Sequence, residues 1–453
     1  MASARQGSRL QKAKDIVAER IKFPVRIGLL GCGTVGGGVI QLIQENAEYL
    51  ASRVGAPLEI RRVLVRDAEK DRVPGCKKEW LTTDPDLVLA EDAVDIVIEV
   101  MGGEEPAKSY VERAIASGKS VVTANKYLLA KHGPRLVELA NEQGVDLAFE
   151  ASVGGGIPII RTLREALTSD WVLSVHAILN GTCNYILTRM RDEGIGFDAV
   201  VKDAQRLGYA EADPSLDVDG HDAAQKLVVM SMLAFGAKVP VEQVKVEGIR
   251  SIDQLDFRFA DRFGYTIKHL AIGYDHGSRI ELRVHPAMVP RGSVLANIDG
   301  VLNGAFLQGR ALGPCLLVGR GAGDMPTAVS VVADLVDVAR SKIEGEPGLQ
   351  TRGIQMKERP LMPLDEVSAR YYLRFDVGDE PGVLGLISTA LGKHNVSIEQ
   401  MMQEGRASDA GDAVPVLIIT HGCTEGQVQA AMAEIAGHQF LKGAPRFIRI
   451  EDV

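Results

Sequence analysis

Five carboxylates and one lysine crowd into residues 207–226, LGYAEADPSLDVDGHDAAQK: Glu211, Asp213, Asp217, Asp219, Asp222 and Lys226. The lysine leads into LVVMSMLAF, residues 227–235, which offers no polar face. A helix that is apolar all round is a buried one. A lysine there is partly desolvated, so its ammonium form is disfavoured unless carboxylates hold it. Such a lysine can pass a proton at working pH. Asp222 lies four residues earlier, so on a helix the two share a face. An ordinary helix ion pair behind a solvated acidic turn has the same spacing, and spacing alone does not separate the two.

A hydride partner would give that lysine a task. Gly31-Cys32-Gly33-Thr34-Val35-Gly36 follows the β-rich run VRIGLLG (25–31) and opens a helical segment. Glycines in that context allow a tight turn and close backbone approach, while the helix N-terminus takes a pyrophosphate. Strand, GxGxxG and helix together predict dinucleotide binding. The second strand, LEIRRVLV (58–65), ends at Arg66 and Asp67. An acidic residue at this tip binds a ribose 2′-OH, and an arginine accommodates a 2′-phosphate, so Arg66 tilts the reading toward NADP over NAD. A surface arginine at a strand end is the plainer alternative.

Two further stretches could carry chemistry. Lys126 closes KSVVTANK (119–126) at the C-terminal end of a parallel strand, where open α/β sheets bind ligands. It could face a nicotinamide or a substrate carboxylate, or simply point to solvent. The glycine run from Glu150 to Pro158, EASVGGGIP, reads first as a bend between domains. It also exposes carbonyl oxygens beside a carboxylate, which suits a hard cation.

These residues need a large scaffold. The chain has 453 residues and a net charge of −9 without a long basic run, which argues against a nucleic-acid surface. Its length predicts two to four domains. Five scattered cysteines without a CxxC fit a reducing compartment better than a disulfide framework or zinc site. No run approaches ~18 consecutive apolar residues, so no membrane span is expected. Residues 1–24 are basic but lack an apolar central region and contain Asp15 and Glu19, which predicts a tail rather than a targeting peptide. A cytoplasmic protein is expected.

Strands and helices alternate over 25–150, which predicts a parallel, doubly wound sheet. An α+β substrate domain is expected over 151–318, with 319–340 returning to the first domain as a Gly-rich turn and helix. Residues 341–366 read as a linker. The remainder, 367–453, has the βαββαβ order of a ferredoxin-like module. Its removal is expected to leave activity intact.

Across 25–340 the chain resembles homoserine dehydrogenases that carry a C-terminal ACT regulatory domain. The matching elements are GLLGCGTVGGGV, DIVIEVMGG, the TANK strand end, EASVGGGIPII, ILNGTCNYIL and LGYAEADPSLDVDGHDAAQKL. The resemblance implies a Rossmann-type sheet, an α+β substrate and dimerisation domain, and an ACT tail. The activity it implies is NAD(P)H-dependent, reversible reduction of L-aspartate 4-semialdehyde to L-homoserine, a step of threonine, methionine and isoleucine biosynthesis. By the family pattern Lys226 gives a proton to the carbonyl oxygen, and Glu211 and Asp222 hold the substrate ammonium with Asp217 in support. Lys126 orients substrate near the nicotinamide. Gly31, Gly33, Thr34, Val35 and Gly36 contact cofactor, joined by Gly208, which also borders substrate, and by Gly323. Glu150 and the carbonyls of Val153, Gly155 and Ile157 match a monovalent-cation site, with sodium the expected ion. In the tail, Asp379, Gly382, Val383, Leu384 and Asn395 would bind an amino acid, threonine being the expected inhibitor. A homodimer or homotetramer is implied.

Two rival readings remain at this stage. A semialdehyde dehydrogenase would act through a thiohemiacetal on Cys183 in NGTCN, which would need an activating base. A non-catalytic amino-acid sensor would use the nucleotide domain for regulation alone.

Overall fold

The computed structural model describes residues 23–90, 92, 94–404 and 413–453. The chain forms two compact units that interleave along the sequence. One holds the described residues through Ser174, with Ala224–Glu242 and Leu302–Arg359; the other holds Val175–Ala223, Gln243–Val301 and Pro360–Val453. The segment 319–340, expected to return, lies within Leu302–Arg359, whereas no sequence signal marked Ala224–Glu242.

In the first unit, strands Val25–Leu30 (β1), Leu58–Leu64 (β2), Leu81–Thr82 (β3), Ile96–Glu99 (β4), Ser120–Thr123 (β5) and Leu147–Ala148 (β6) form one sheet. Its order is β3-β2-β1-β4-β5-β6, and every pairing is parallel. IVIE of β4 and SVVT of β5 are buried throughout, as a sheet covered on both faces requires. The chain reverses direction across the sheet between β1 and β4, so the crevice beyond their ends is the place for a ligand.

The returning segment is integral to this unit. Helix Asp324–Glu344 sends Val331, Leu335 and Val338 into the core with Ile27, Leu29, Ile40 and Ile98. The expected linker is largely tied down as well. Thr351 Oγ1 accepts from Leu147 N at 2.7 Å, and Asp146 Oδ1 accepts from Gln350 N at 2.7 Å. These bonds satisfy buried backbone at the sheet edge, which the polar composition of 341–366 concealed.

Helix Lys126–Gln143 is longer than its C-terminal half alone would announce, because Pro134 interrupts the pattern from inside. A proline forfeits one helix hydrogen bond. Gly133 beside it lets Met232 approach: a Cβ there would stand 3.0 Å from Met232 Sδ. The helices bearing Lys126 and Lys226 meet at that point.

The second unit is built on a mixed sheet. Strands Val172–Ile178, Tyr265–Asp275, Ile280–Pro290, Arg446–Ile450, Ser368–Gly378, Ala413–Thr420 and Ile398–Gln403 follow one another across it. The last four reproduce the ferredoxin-like order expected of the tail. The tail is not an appendage, however. Arg449 and Ile450 pair in parallel with Ala287 and Met288. Tyr372, Leu417, Ile448 and Ile450 share a core with Met190, Phe257, Phe259 and Met288. Sequence periodicity showed each strand but not which sheet it would join.

Candidate active site

The first unit builds a dinucleotide cradle from three glycines with distinct duties. Gly31 has φ +104°, and a Cβ there would stand 3.0 Å from the Val100 carbonyl oxygen. Gly36 lies so close beneath the turn that a Cβ would fall 2.6 Å from the Gly31 oxygen. At Gly33 a Cβ would meet nothing within 4 Å, so open space lies over that backbone. Tight turn, close helix packing and room for a pyrophosphate are the three demands of the fingerprint. Helix Thr34–Glu45 follows with no side-chain cap and no acidic residue in its first turn. Its first N–H groups, including those of Thr34 and Val35, therefore suit an anion. The residues fit a dinucleotide.

Gly323 caps the second helix entering this region, with φ +126°. Gly38 lets that helix close in, since a Cβ there would lie 3.3 Å from the Asp324 oxygen. Arg66 is exposed just beyond β2. Arg72, which no motif flagged, donates to the Cys32 carbonyl at 3.2 Å and to the Asp67 carbonyl at 2.6 Å. It joins the glycine turn to the loop carrying Arg66. Its only sequence signal was a basic residue a few positions past the strand tip.

At the ends of β4 and β5 a buried network sets the approach to Lys126. Glu99 is 0% exposed and accepts from Met101 N at 2.8 Å and from the Thr123 hydroxyl at 2.5 Å. Burial pushes its carboxyl upward. Thr123 Oγ1 accepts from Asn125 N, and Asn125 caps helix Lys126–Gln143 by accepting from Leu128 N at 3.0 Å. Lys126, half-buried, is thus the first residue of that helix. A glutamate inside the apolar run DIVIEVM was the clue to Glu99. Lys226 is buried on helix His221–Ala234.

Glu150, Val153, Gly155 and Ile157 share one buried turn. The Glu150 carboxylate accepts from Ile160 N at 3.0 Å and Arg161 N at 2.7 Å, and its own N–H donates to Asp334 at 2.7 Å. Burial and the Asp334 carboxylate push Glu150 up to about 7. Asp334 is itself buried and pushed up to about 6, and its Oδ1 makes no hydrogen bond. Gly154 and Gly155 both have positive φ in this turn, and the Gly155 carbonyl accepts from the Ser330 hydroxyl at 2.6 Å; a carboxylate beside backbone carbonyls is the donor type a hard cation takes.

The second unit collects part of the acidic block. Asn180, the N-cap of helix Gly181–Glu193, donates from Nδ2 to Asp217 Oδ1 at 2.7 Å and Asp222 Oδ2 at 2.9 Å. Asp222 is buried and Asp217 half-buried. Asn180 was missed because Asn before a helix reads simply as a cap. Glu211 stands on an exposed turn after Gly208, itself exposed with φ +78°. Asp213 accepts from Ser215 N and Asp219 pairs with Arg250, which leaves both as turn residues. Cys183 is fully buried, and its thiol donates to the Asp217 carbonyl at 3.1 Å. Nothing in that contact activates it as a nucleophile.

In the tail, Asp379 and Gly382 are exposed at the turn before helix Val383–Lys393, Leu384 is half-buried and Val383 is buried. Asn395, with φ +58°, follows His394, the C-cap of that helix, and the next strand starts at Ile398.

The homoserine dehydrogenase family model matches residues 158–336, and the model for the homoserine dehydrogenase NAD-binding domain matches 31–150. The chain belongs to the homoserine dehydrogenase family. It is 41% identical to the homoserine dehydrogenase of Neisseria gonorrhoeae over 95% of this chain and 99% of the relative. A homoserine dehydrogenase structure from Thiobacillus denitrificans superposes with a TM-score of 0.88 at 42% identity, covering 95% of this chain and 99% of that one. A hyperthermophilic archaeal homoserine dehydrogenase solved with NADPH aligns over 70% of this chain and 98% of its own, at 26% identity and a TM-score of 0.59. As a member of the family, the chain is an NAD(P)-dependent oxidoreductase with a nicotinamide cofactor and a small-molecule substrate. The thiohemiacetal and sensor readings fall. Among the described residues no helix is long and apolar enough to cross a membrane.

Proposed function

We propose that this chain reduces L-aspartate 4-semialdehyde reversibly to L-homoserine, feeding threonine, methionine and isoleucine biosynthesis in the cytoplasm. The observation that carries the reading is the helix His221–Ala234, which sets the buried Asp222 and Lys226 one turn apart. Lys226 gives its proton to the substrate's carbonyl oxygen and takes it back in the reverse direction. Asp222, oriented by Asn180, holds the substrate ammonium with Glu211, and Asp217 keeps the local charge negative. Lys126 steadies the substrate from the start of its helix. NADP(H), when bound, supplies or accepts the hydride. Gly31, Gly33, Thr34, Val35, Gly36, Gly208 and Gly323 would hold it, and Arg66 favours the 2′-phosphate form.

A sodium ion held by Glu150 and the carbonyls of Val153, Gly155 and Ile157 would neutralise the buried carboxyls there. Threonine, bound by Asp379, Gly382, Val383, Leu384 and Asn395 of an ACT module, would inhibit. A homodimer or homotetramer is supported by the hairpin Leu302–Gly309 with Gly313–Arg320, where Leu312, Leu316 and Val318 are exposed on the first unit, as is Trp171 at 71%. An apolar patch of that kind marks an interaction surface.

The deciding assay is homoserine-dependent reduction of NADP, followed in wild type and Lys226→Ala. Turnover should fall by ~10²–10⁴-fold in the variant, the usual effect of losing a general acid. Near-wild-type turnover would remove Lys226 from the chemistry, and no activity in the wild type would refute the reaction.

A further inference from the structure

Residues 247–253 are fastened at their middle to the acidic block and at their ends to the tail. Gly248 packs on the block backbone to backbone: a Cβ there would stand 2.4 Å from the Val218 carbonyl oxygen and 2.6 Å from Asp219 Cα. Ile249 N donates to Val218 O at 2.9 Å. Arg250 donates to Asp219 Oδ2 at 3.1 Å and to Ser215 Oγ at 3.2 Å. His269 Nε2 lies 3.0 Å from the Glu247 carbonyl oxygen, and a Cβ on Gly220 would fall 3.2 Å from the same nitrogen. At one end, Arg449 of the last strand forms a bidentate pair with Glu247, at 3.0 and 2.7 Å. At the other, Arg446 donates to the Ser251 carbonyl at 2.9 Å and to Asp253 at 2.7 Å. Arg374, from the first strand of the tail, also holds Asp253, at 2.8 and 2.7 Å.

We infer that residues 247–253 are a splint through which the C-terminal strand sets the position of Asp217 and Asp222. Arg446 and Arg449 are then positioning residues for the substrate, although neither belongs to the acidic block. The splint meets the block through main chain at Gly248 and Val218, so no flexible side chain stands between them to absorb a displacement. Val218 and Asp219 are the contacted residues, and Asp217 directly precedes them in the chain. Asn180 bridges Asp217 and Asp222 at 2.7 and 2.9 Å, so a shift of Asp217 disturbs the bond that holds Asp222. Gly220, under His269, lies two residues before Asp222 and gives the splint a second point of support. The effect on substrate rests on Asp222 holding the ammonium group, as proposed above; the bracing of the block does not.

Arg446 is the residue to alter, because its side chain is 41% exposed and the loss of an ion pair there costs the fold little. Full-length Arg446→Gln and Gly248→Ala are compared with wild type by homoserine and NADP kinetics and by amide hydrogen exchange. KM for homoserine should rise about three- to tenfold in each, while kcat and KM for NADP stay within about twofold. Arg446→Lys, which keeps a charged donor, should recover most of the loss. Exchange across residues 215–222 should quicken in Arg446→Gln and stay unchanged in the glycine turn 31–36. Both substitutions act through one segment, so the double variant should raise KM by less than the product of the single rises. An unchanged KM for homoserine in Arg446→Gln, with unchanged exchange across 215–222, would overturn the role of the tail. Equal rises in KM for homoserine and NADP would mark general loosening and overturn it likewise. A fully multiplicative double variant would overturn the splint as the route. A wild type without homoserine-dependent activity would refute the proposed reaction, and quickened exchange in Arg446→Gln would still support the splint.

Discussion

Asn180 holds Asp222: its side-chain nitrogen lies 2.9 Å from the buried carboxylate, while its oxygen accepts from Cys183 N at 2.8 Å to cap a helix. One side chain thus fastens a helix end and aims an acid. The two duties separate by substitution. Asn180→Asp keeps the cap but sets a third, buried carboxylate against Asp217 and Asp222, so KM for homoserine should rise by roughly tenfold or more and thermal stability should fall as well. Asn180→Ala loses both, with a further cost of ~1 kcal/mol for the cap. Unaltered KM in both variants would show that Asn180 serves the helix alone.

Arg72 and Arg66 give a second prediction. Arg72→Ala cuts the tie between the glycine turn and the Asp67 loop. KM for NADPH should rise by about tenfold, the loss of one or two charge-assisted hydrogen bonds. Arg66→Ala should lower the NADPH-to-NADH ratio of kcat/KM while sparing NADH kinetics. Parallel kinetics with both cofactors decide it, and a constant ratio in Arg66→Ala would leave that arginine a surface residue.

The third concerns pH. His269 is buried against Gly220, and its Nε2 lies 3.0 Å from the Glu247 carbonyl oxygen. Burial lowers it to about 4 from an ordinary 6.5. Its folded-state value is depressed, so the unfolded chain binds the proton more readily. Its contribution is present above about 6.5 and is lost as pH falls toward 4. Relative to His269→Gln, the wild type should lose up to ~1.4 kcal/mol of stability per pH unit across that window. Urea titrations of both proteins from neutral to acidic pH measure the difference; parallel curves would refute a neutral buried histidine.

The tail supplies the fourth. Arg449 is 1% exposed and pairs with Glu247 at 2.7 Å and with the fully buried Glu425. Arg449→Ala strands a buried carboxylate and should cost about 3–5 kcal/mol. Deleting residues from 366 onward also strips the core behind Ile267 and Met288, so the truncated chain should aggregate or lose its cooperative unfolding transition. A soluble, active truncation would show that the tail folds apart after all. Threonine sensitivity is better tested in full-length Asp379→Ala, where inhibition should weaken without loss of fold.

Much of this protein was legible from its sequence, and for local reasons. The glycine turn announced itself because φ, packing and open space at Gly31, Gly36 and Gly33 are set by neighbours in the chain. The period of the strands and helices gave the doubly wound sheet and the βαββαβ order of the tail. Lys226 and Asp222 could be paired on one helix by counting. What sequence alone left open depended on partners distant along the chain. Asn180 reads as a cap until Asp217 and Asp222 arrive from some forty residues away, and Arg72 is a loop arginine until it reaches Cys32. The tail reads as separate until Arg449 meets Glu247 across 202 residues. Side-chain period fixes which face of a strand is apolar, but only burial of that face against the rest of the chain decides which sheet it joins. The acidic block, and the roles the resemblance implies for its members, were therefore legible in the sequence, and only the fold showed Asn180 holding Asp217 and Asp222 together.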